Sequence, residues 1–208
     1  TGIFTPNRRG KSSPNTQEVF NLKGIEYNEY WGDLNGRKLN SRIKEVAEPI
    51  LMLNHYWGIS ENATLQTNAS YQFGKIGNSR LDFNGGANPS PTYYQTLPSY
   101  FLRTNDLSRA YLSQENFVNK GQLDWDRIFD ANRTNTNAGL NNAYVLYEDR
   151  NDDKQITVNT IYNLEINNHI SINGKVEYKQ LRSHNFAEVI DLLGGSGYLD
   201  INNFADSE

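Results

Sequence analysis

The sequence predicts an all-β fold, and within that class a segment of a large antiparallel transmembrane β-barrel with long extracellular loops. Three observations lead to this prediction: two stretches with an apolar residue at every second position, a short turn inside each stretch, and very long connections around them. Alternation with a period of two is the pattern of a strand with one apolar face. Short turns combined with long connections are typical of outer-membrane barrels, whereas compact soluble domains rarely contain such long connections.

The first alternating stretch predicts a hairpin over residues 49–74. Its arms run from Ile50 to Ile59 and from Ala63 to Phe73, around a three-residue turn, Ser60-Glu61-Asn62. Asn62 occupies the turn position at which a positive φ is common. The predicted register places four apolar cross-strand pairs on one face. These are Ile59 with Ala63, Trp57 with Leu65, Leu53 with Ala69 and Leu51 with Tyr71.

The second stretch predicts a hairpin over residues 154–181 built on the same plan. Its arms, 156–166 and 170–180, each have eleven residues and flank Asn167-Asn168-His169. A tilted transmembrane strand needs about 9 to 11 residues, whereas soluble strands most often have about 5 to 6. Four strands cannot close a barrel, and an open sheet edge is not viable in lipid, so the membrane interpretation requires a larger barrel.

The apolar face of these hairpins is interpreted as lipid-facing, although the core of a soluble sheet would produce the same alternation. The opposite face carries Asn159, Asn163 and Lys175, which suits a water-filled lumen and bulk solvent equally well. Trp57 at one end, and Tyr71, Phe73 and Tyr178 at the other, fit aromatic girdles or ordinary cross-strand packing. His55 is the exception on this face, because an imidazole without a partner is costly in lipid.

The composition limits the possible functions. The chain has 208 residues, a net charge of −4, 12% aromatic residues and no cysteine. Disulfides, thiolate nucleophiles and zinc-cysteine sites are excluded, and the acidic balance disfavours a nucleic-acid partner. No apolar run of about 18 residues predicts a transmembrane helix. The chain begins without an initiator methionine or signal region, and both ends are expected to be cuts in a longer polypeptide.

The remaining segments are predicted to be connections. Residues 1–48 are expected to form an extracellular loop region, 75–153 a long extracellular loop, and 182–208 the start of the next one. Asn, Gly, Pro, Ser and Tyr dominate the middle segment. One short helix is predicted near residues 123–131, with Trp125, Ile128 and Phe129 on one side.

Four aromatic residues of the middle segment are the candidate substrate contacts. Tyr93, Tyr94, Tyr100 and Phe101 would stack on a sugar or a peptide at the mouth of the barrel. The alternative is that these rings pack the loop against itself.

A candidate metal site lies ahead of the second hairpin. Asp149, Asn151 and Asp153 alternate as at the start of a calcium-binding loop, and hard oxygen ligands suit Ca²⁺. Lys154 stands where such a loop needs glycine, and Thr160 stands where it needs a bidentate glutamate. Ca²⁺ is therefore the one candidate cofactor, and a solvated acidic turn is the alternative.

No catalytic residues are predicted, and the chain is not expected to be an enzyme. His55, His169 and His184 are expected on a strand, in a turn and in a loop, without the spacing of a nucleophile and its base. Asp124 and Asp126 flank Trp125 without converging, unlike the acid pair of a glycosidase. The glycosylation sequons at Asn62, Asn68 and Asn132 are interpreted as chance matches.

Three stretches resemble a known family. "EPILMLNHYWGISENATLQTNASYQFGKIGNSRLDFNGG", "AYVLYEDRNDDKQITVN" and "NFAEVIDLLGGSGYLDINNFAD" are similar to the TonB-dependent outer-membrane receptors of Bacteroidota. The similarity is to the large type with a carboxypeptidase-regulatory-like N-terminal domain, and this chain resembles an internal part of the barrel. The TonB box and the plug domain of that family have no counterpart in these stretches.

The resemblance implies a plugged barrel of about 22 strands in the cell outer membrane of a Gram-negative bacterium. It implies TonB-dependent import of a bulky nutrient, such as a glycan, a peptide or a chelate. The implied partners are the TonB system, membrane lipid, and a surface lipoprotein lid or other outer-membrane subunits.

Two other functions remain open at this stage. The barrel would serve as a structural subunit of an outer-membrane assembly or secretion complex, or the chain would be a soluble β adhesin or carbohydrate-binding module.

Overall fold

A computed structural model describes residues 1–13 and 15–200 of the chain. Its main element is an antiparallel sheet, so the all-β prediction is confirmed at the level of fold class. Residues 201–208 of the predicted loop 182–208 lie outside the described residues. The strands are β1 (Gly2–Ile3), β2 (Asn7–Gly10), β3 (Trp31–Leu34), β4 (Arg37–Asn40), β5 (Ile43–Ala47), β6 (Ile50–Ser60), β7 (Ala63–Phe83), β8 (Tyr144–Asn167) and β9 (Ile170–Asp191). The helices are α1 (Gln17–Lys23), α2 (Pro98–Leu102), α3 (Leu107–Lys120) and α4 (Trp125–Asn137).

Seven strands form the main sheet, and β3 and β4 form a separate hairpin. The order is β1-β6-β7-β5-β2, while β8 pairs with both β7 and β9. Within the described residues β9 pairs only with β8, so this sheet is open. β5 and β6 both pair with β7 and are separated by Glu48 and Pro49. Pro49 has no amide hydrogen, which interrupts the ladder between them.

The register of the first hairpin is largely as predicted. Leu51 pairs with Tyr71, Leu53 with Ala69 and Trp57 with Leu65, which confirms three of the four predicted pairs. The fourth is wrong, because Ser60 pairs with Ala63 and the register shifts between Gly58 and Ser60. Such a shift is a β-bulge, which lets a two-residue turn replace the predicted three-residue one. Asn62 is not among the residues with positive φ, so that prediction is also wrong.

The second hairpin repeats this arrangement. β8 ends at Asn167 and β9 begins at Ile170, as β6 ends at Ser60 and β7 begins at Ala63. Farther along the arms, the Ser183 hydroxyl donates to the Asp153 carboxylate, and the Arg150 guanidinium lies 5.1 Å from the Phe186 ring. Both contacts indicate one register along these arms, with Asp153 near Ser183 and Arg150 near Phe186.

The strands are longer than predicted, and the predicted loop bounds need correction. β7 continues to Phe83 and β8 begins at Tyr144, so the connection predicted at 75–153 spans residues 84–143 instead. β9 continues through the predicted loop start and includes His184. The parts of β7, β8 and β9 beyond the predicted bounds lack an apolar residue at every second position. Charged side chains form ion pairs there instead. Lys75 Nζ lies 3.3 Å from Glu45, and Arg150 Nη2 lies 2.9 Å from Asp152.

The connections contain helices rather than extended loop. α4 lies where the sequence predicts a short helix, whereas α1, α2 and α3 were not predicted. Three of the helices begin with a side-chain cap: Thr16 accepts from the Val19 amide, Asp106 from the Arg109 amide and Asp124 from the Arg127 amide. No helix in the described ranges is long and apolar enough to cross a membrane.

The chain divides into two compact units. Unit 1 contains residues 1–8, 45–77 and 149–186, and unit 2 contains residues 9–44, 78–148 and 187–208, of which those after 200 are not described. Unit 2 holds two clusters of buried apolar side chains. The first contains Leu123, Trp125, Ile128, Ala143, Tyr144 and Leu193, and the second contains Val19, Tyr27, Leu97 and Phe117.

A single buried amide joins three segments of unit 2. Asn132 Nδ2 donates to the carbonyls of Tyr144 (2.9 Å), Leu192 (3.1 Å) and Leu193 (3.2 Å). Its Oδ1 accepts the Tyr144 amide hydrogen at 3.0 Å. The side chain is fully buried, so the sequon at Asn132 is not available for glycosylation in this fold.

Candidate functional site

The most extensive candidate site is one face of the sheet in unit 1. Asn68 Nδ2 donates to Asn159 Oδ1 at 2.9 Å, and the Glu165 amide donates to the Asn62 carbonyl at 2.9 Å. These bonds set β8 against β7 with Ala69 opposite Val158. The alternating apolar residues of β6, β7, β8 and β9 therefore lie on one side of the sheet.

We call this side the apolar sheet face. Its members are Leu51, Leu53, Trp57 and Ile59 on β6; Leu65, Ala69, Tyr71 and Phe73 on β7; Ile156, Val158, Tyr162, Leu164 and Ile166 on β8; and Ile170, Ile172, Val176 and Tyr178 on β9. Most of it is uncovered: the Leu53 side chain is 71% exposed and Val176 is 76% exposed. Among the described hydrophobic residues of unit 1, Ala63 alone is buried.

The apolar sheet face ends abruptly on the side away from the hairpin turns. Beyond Ile156, the same side of β8 carries Lys154, Asp152 and Arg150, and β9 carries Arg182 beyond Tyr178. The apolar part of β8 spans ten residue steps, or about 33 Å along the strand, which a tilt of about 40° reduces to about 25 Å. At this boundary the rings of Tyr71 and Phe73 stack, with centroids 5.0 Å apart.

One polar row crosses the apolar sheet face. His55 pairs with Thr67, and the Thr67 hydroxyl lies 3.4 Å from the Thr160 hydroxyl. The imidazole predicted to be out of place therefore lies in line with two hydroxyl groups. The opposite side of the sheet is polar, with Asn68 bonded to Asn159 and Lys175 paired with Glu177 at 2.5 Å.

Unit 2 brings the four predicted aromatic contacts together. Tyr93 contacts Tyr94, Tyr94 contacts Tyr100, and Tyr100 contacts Phe101, all edge to face with centroids 5.0 to 5.9 Å apart. We call this set the aromatic ladder. Tyr94 is 52% exposed, so one ring presents its surface to solvent. The role of the ladder as a substrate contact stays a prediction.

Polar anchors fix the aromatic ladder. Glu18 accepts hydrogen bonds from the Ser99 amide (2.8 Å) and hydroxyl (2.7 Å), which joins α1 to α2. The Arg109 guanidinium lies 5.5 Å from the Phe101 ring and is held by Asp106. Hydrogen bonds from the backbone and side chain of Arg109 lower the pKa of Asp106. Desolvation, followed by the neighbouring Tyr94, raises the pKa of Tyr93.

Two cavities of unit 2 adjoin the segment Asn88–Pro91. One has a volume of about 250 Å³ and is lined in part by Tyr30, Arg42 and Phe83. The other, about 360 Å³, lies between this segment, α3 and α4. We call it the α3–α4 cavity. Its cationic residues, Lys120 and Arg127, were not predicted from the sequence, although the Asp106 and Asp124 caps signal both helices.

The predicted calcium loop is not formed. Asp149, Asn151 and Asp153 lie within β8, where alternate residues are about 6.6 Å apart, so the three side chains spread along about 13 Å. The alternative of an acidic turn is wrong for the same reason. In the part of the chain that the structure describes, no group of three or more His, Cys, Asp or Glu residues is arranged to hold a metal ion.

Comparisons of this chain with protein-family models, with curated proteins and with solved structures find no match.

Proposed function

We propose that this chain is part of an outer-membrane β-barrel that imports a bulky nutrient, such as a glycan, a peptide or a chelate, with energy supplied through TonB. The observation that supports the membrane location is the apolar sheet face, which four strands contribute and which is largely exposed among the described residues. Exposed apolar surfaces of this extent mark sites of contact with lipid or with another protein.

The dimensions of the face favour lipid. Outer-membrane barrels carry an outward apolar band about 25 Å tall, edged by aromatic girdles. At the strand tilt of such barrels, the ten residue steps from Ile156 to Ile166 would cover this height, and Tyr71, Phe73 and Tyr178 lie at the charged boundary. The two-residue turns at 61–62 and 168–169 would then face the periplasm, and the connections in unit 2 would face the cell exterior.

The import part of the proposal is supported by the resemblance and by unit 2. The connections of unit 2 form a folded region with an exposed ring at Tyr94 and two cavities. Concave surfaces lined by aromatic and polar side chains are the usual form of a ligand site. A rigid extracellular region of this kind suits the capture of a nutrient before transport.

The membrane location is tested with cysteine probes, because this chain has no cysteine of its own. Leu53→Cys and Asn54→Cys are neighbours on β6 with side chains on opposite faces of the sheet. In the full-length protein in lipid vesicles, an environment-sensitive dye at position 53 should be quenched by lipid-borne nitroxide, and a dye at position 54 by a water-soluble quencher. Equal aqueous quenching at both positions would contradict the location.

Import is tested in the bacterium that produces the protein. Uptake of labelled oligosaccharides, oligopeptides and iron chelates is compared between cells with and without functional TonB, and between cells with and without this protein. We expect one class of nutrient to accumulate only when both are present. If the lipid test succeeds and no nutrient depends on TonB, the barrel is a structural subunit of an outer-membrane complex instead.

A further inference from the structure

The α3–α4 cavity is a preformed pocket in unit 2. Its floor consists of Phe117, Ile128 and Tyr144, which are 4%, 2% and 4% exposed. The Tyr144 hydroxyl donates to the Ala87 carbonyl at 2.7 Å, which holds the start of the 88–91 segment against this floor. The Ser113 hydroxyl donates to the Thr96 carbonyl and fixes α3 on the other side. These contacts keep the pocket open without a ligand.

Two cations line this pocket without a partner. Lys120 projects from the last turn of α3 and Arg127 from the first turn of α4. Neither side chain has a hydrogen bond or an ion pair with any residue in the ranges 1–13 and 15–200. Lys120 and Arg127 are therefore free to bind an anion.

The one acidic group of the lining is already engaged. Asp124 accepts the Arg127 amide hydrogen at 3.0 Å as the cap of α4. Within the described residues it forms no ion pair with Lys120 or Arg127. Asn116 lies on α3 one turn before Lys120 and adds an amide donor to the same wall. The polar part of the pocket thus offers mainly donors and a net positive charge.

We propose that the α3–α4 cavity binds the carboxylate of an anionic ligand. Arg127 presents a planar pair of donors that matches a carboxylate, and Lys120 adds a second point charge. The apolar floor of Phe117 and Ile128 accommodates the carbon skeleton attached to that group. The proposal deepens the import function and rests on it for the source of the ligand, which is an acidic sugar or an acidic peptide.

Binding is measured by calorimetry on the full-length protein in detergent. The probes are tetragalacturonic acid, tetraglutamate and neutral maltotetraose. The test variant is Lys120→Gln/Arg127→Gln, and the matched control is Arg9→Gln/Arg37→Gln, which removes two exposed cations of unit 2 outside the pocket lining. A second test variant, Lys120→Met/Arg127→Met, keeps an unbranched apolar stem at each position and removes the charge.

We expect at least one acidic probe to lose about tenfold or more in affinity in both test variants and to be unchanged in the control. Its affinity should also fall as salt increases. If only tetragalacturonic acid loses affinity, the carboxylate comes from an acidic sugar. If only tetraglutamate loses affinity, it comes from an acidic peptide. The proposal is overturned if neither acid binds, if the control loses as much, or if maltotetraose loses the same factor. Binding without TonB-dependent uptake would refute import and leave this site standing.

Discussion

Unit 1 and unit 2 place their apolar side chains in opposite ways. In unit 2, Val19 and Trp125 are 1% and 2% exposed and pack within clusters of other apolar residues. In unit 1, most residues of the apolar sheet face are exposed, as at Leu53 and Val176. Both units are formed by segments that alternate along the sequence. The difference in the burial of apolar side chains therefore depends on what packs against each unit, and not on the position of its residues in the sequence.

This contrast explains how each unit is stabilised. Burial of apolar surface is the main favourable term in folding, and unit 2 obtains it from its own side chains. Unit 1 pairs β6, β7, β8 and β9 with one another but leaves most of its apolar sheet face exposed. Under the proposed location, lipid would cover this face, and the free edge of β9 would need a further strand, because lipid accepts only backbone that is paired internally.

The largest effect is expected at Trp125 in unit 2. Its indole fills the first cluster, and its Nε1 donates to the Leu39 carbonyl at 3.2 Å. Trp125→Ala should lower the free energy of unfolding of unit 2 by about 3–5 kcal/mol, because it leaves a cavity and an unpaired carbonyl. Hydrogen exchange at the amides of α4 measures this loss.

The control for Trp125 is Leu140→Ala in the same unit, where the side chain is exposed and the change should stay within about 0.5 kcal/mol. If Trp125→Ala increased exchange equally in the part of β8 and β9 that carries the apolar sheet face, the two units would not differ in how they are stabilised.

The second effect is expected on the apolar sheet face. Val176→Arg places a charge where lipid is proposed and should cost about 2–4 kcal/mol if the position is near the middle of the bilayer. The amount of folded protein recovered from the outer membrane should fall accordingly. Asn173→Arg is the matched variant on the opposite face of β9, where it should be tolerated. Equal recovery of both variants would mean that water covers the face.

A smaller effect separates binding from folding within unit 2. Tyr94→Ala removes the most exposed ring of the aromatic ladder and should reduce uptake of the transported nutrient about threefold to tenfold. Thermal stability should not change. Tyr111→Ala removes another exposed tyrosine of unit 2 that lies outside the ladder. Identical uptake in the two variants would show that the aromatic ladder does not contact the ligand.

The smallest effect is an alkaline loss of stability in unit 2. Desolvation, followed by the charge of Asp82, raises the pKa of Tyr198 to about 12, and burial also raises the pKa of Tyr27. The unfolded chain releases these protons near pH 10, so the folded state binds more protons above that pH. The free energy of unfolding should therefore fall as the pH rises from about 10 to about 12.

Tyr198→Phe should remove part of this alkaline loss, by less than about 1 kcal/mol because the group is partly solvated. Urea denaturation at about pH 9 and about pH 11 gives the comparison. The interpretation fails if the variant and the original protein lose the same stability between these two conditions.

The hairpins could be predicted because their signal is local and repeated. A slip of one residue would move every apolar side chain of a strand to the other face, so alternation leaves one register for pairs such as Leu53 with Ala69. The bulge next to Ser60 was not predictable in this way, because it changes pairing at one residue and leaves the faces of the arms intact.

The features that could not be predicted depend on contacts between distant segments of the chain. β7 continues past Gly74 because its backbone pairs with β5, although its side chains there show no apolar period. α3 contains two Ser and two Asn residues, and the burial of Ala110 and Phe117 favours the helix more than composition does. The α3–α4 cavity combines residues from four separate segments, so no local pattern indicates it.

The bonds of Asn132 have a consequence for the order in which the protein forms during synthesis. Leu192, one of the carbonyl acceptors of this amide, follows it by 60 positions. Until that residue has left the ribosome, the amide can bond only to Tyr144, and burying it would leave its bonds to Leu192 and Leu193 unmade. The chain between them contains β8 and β9. Unit 2 is therefore completed last, after the strands of the second hairpin have been made.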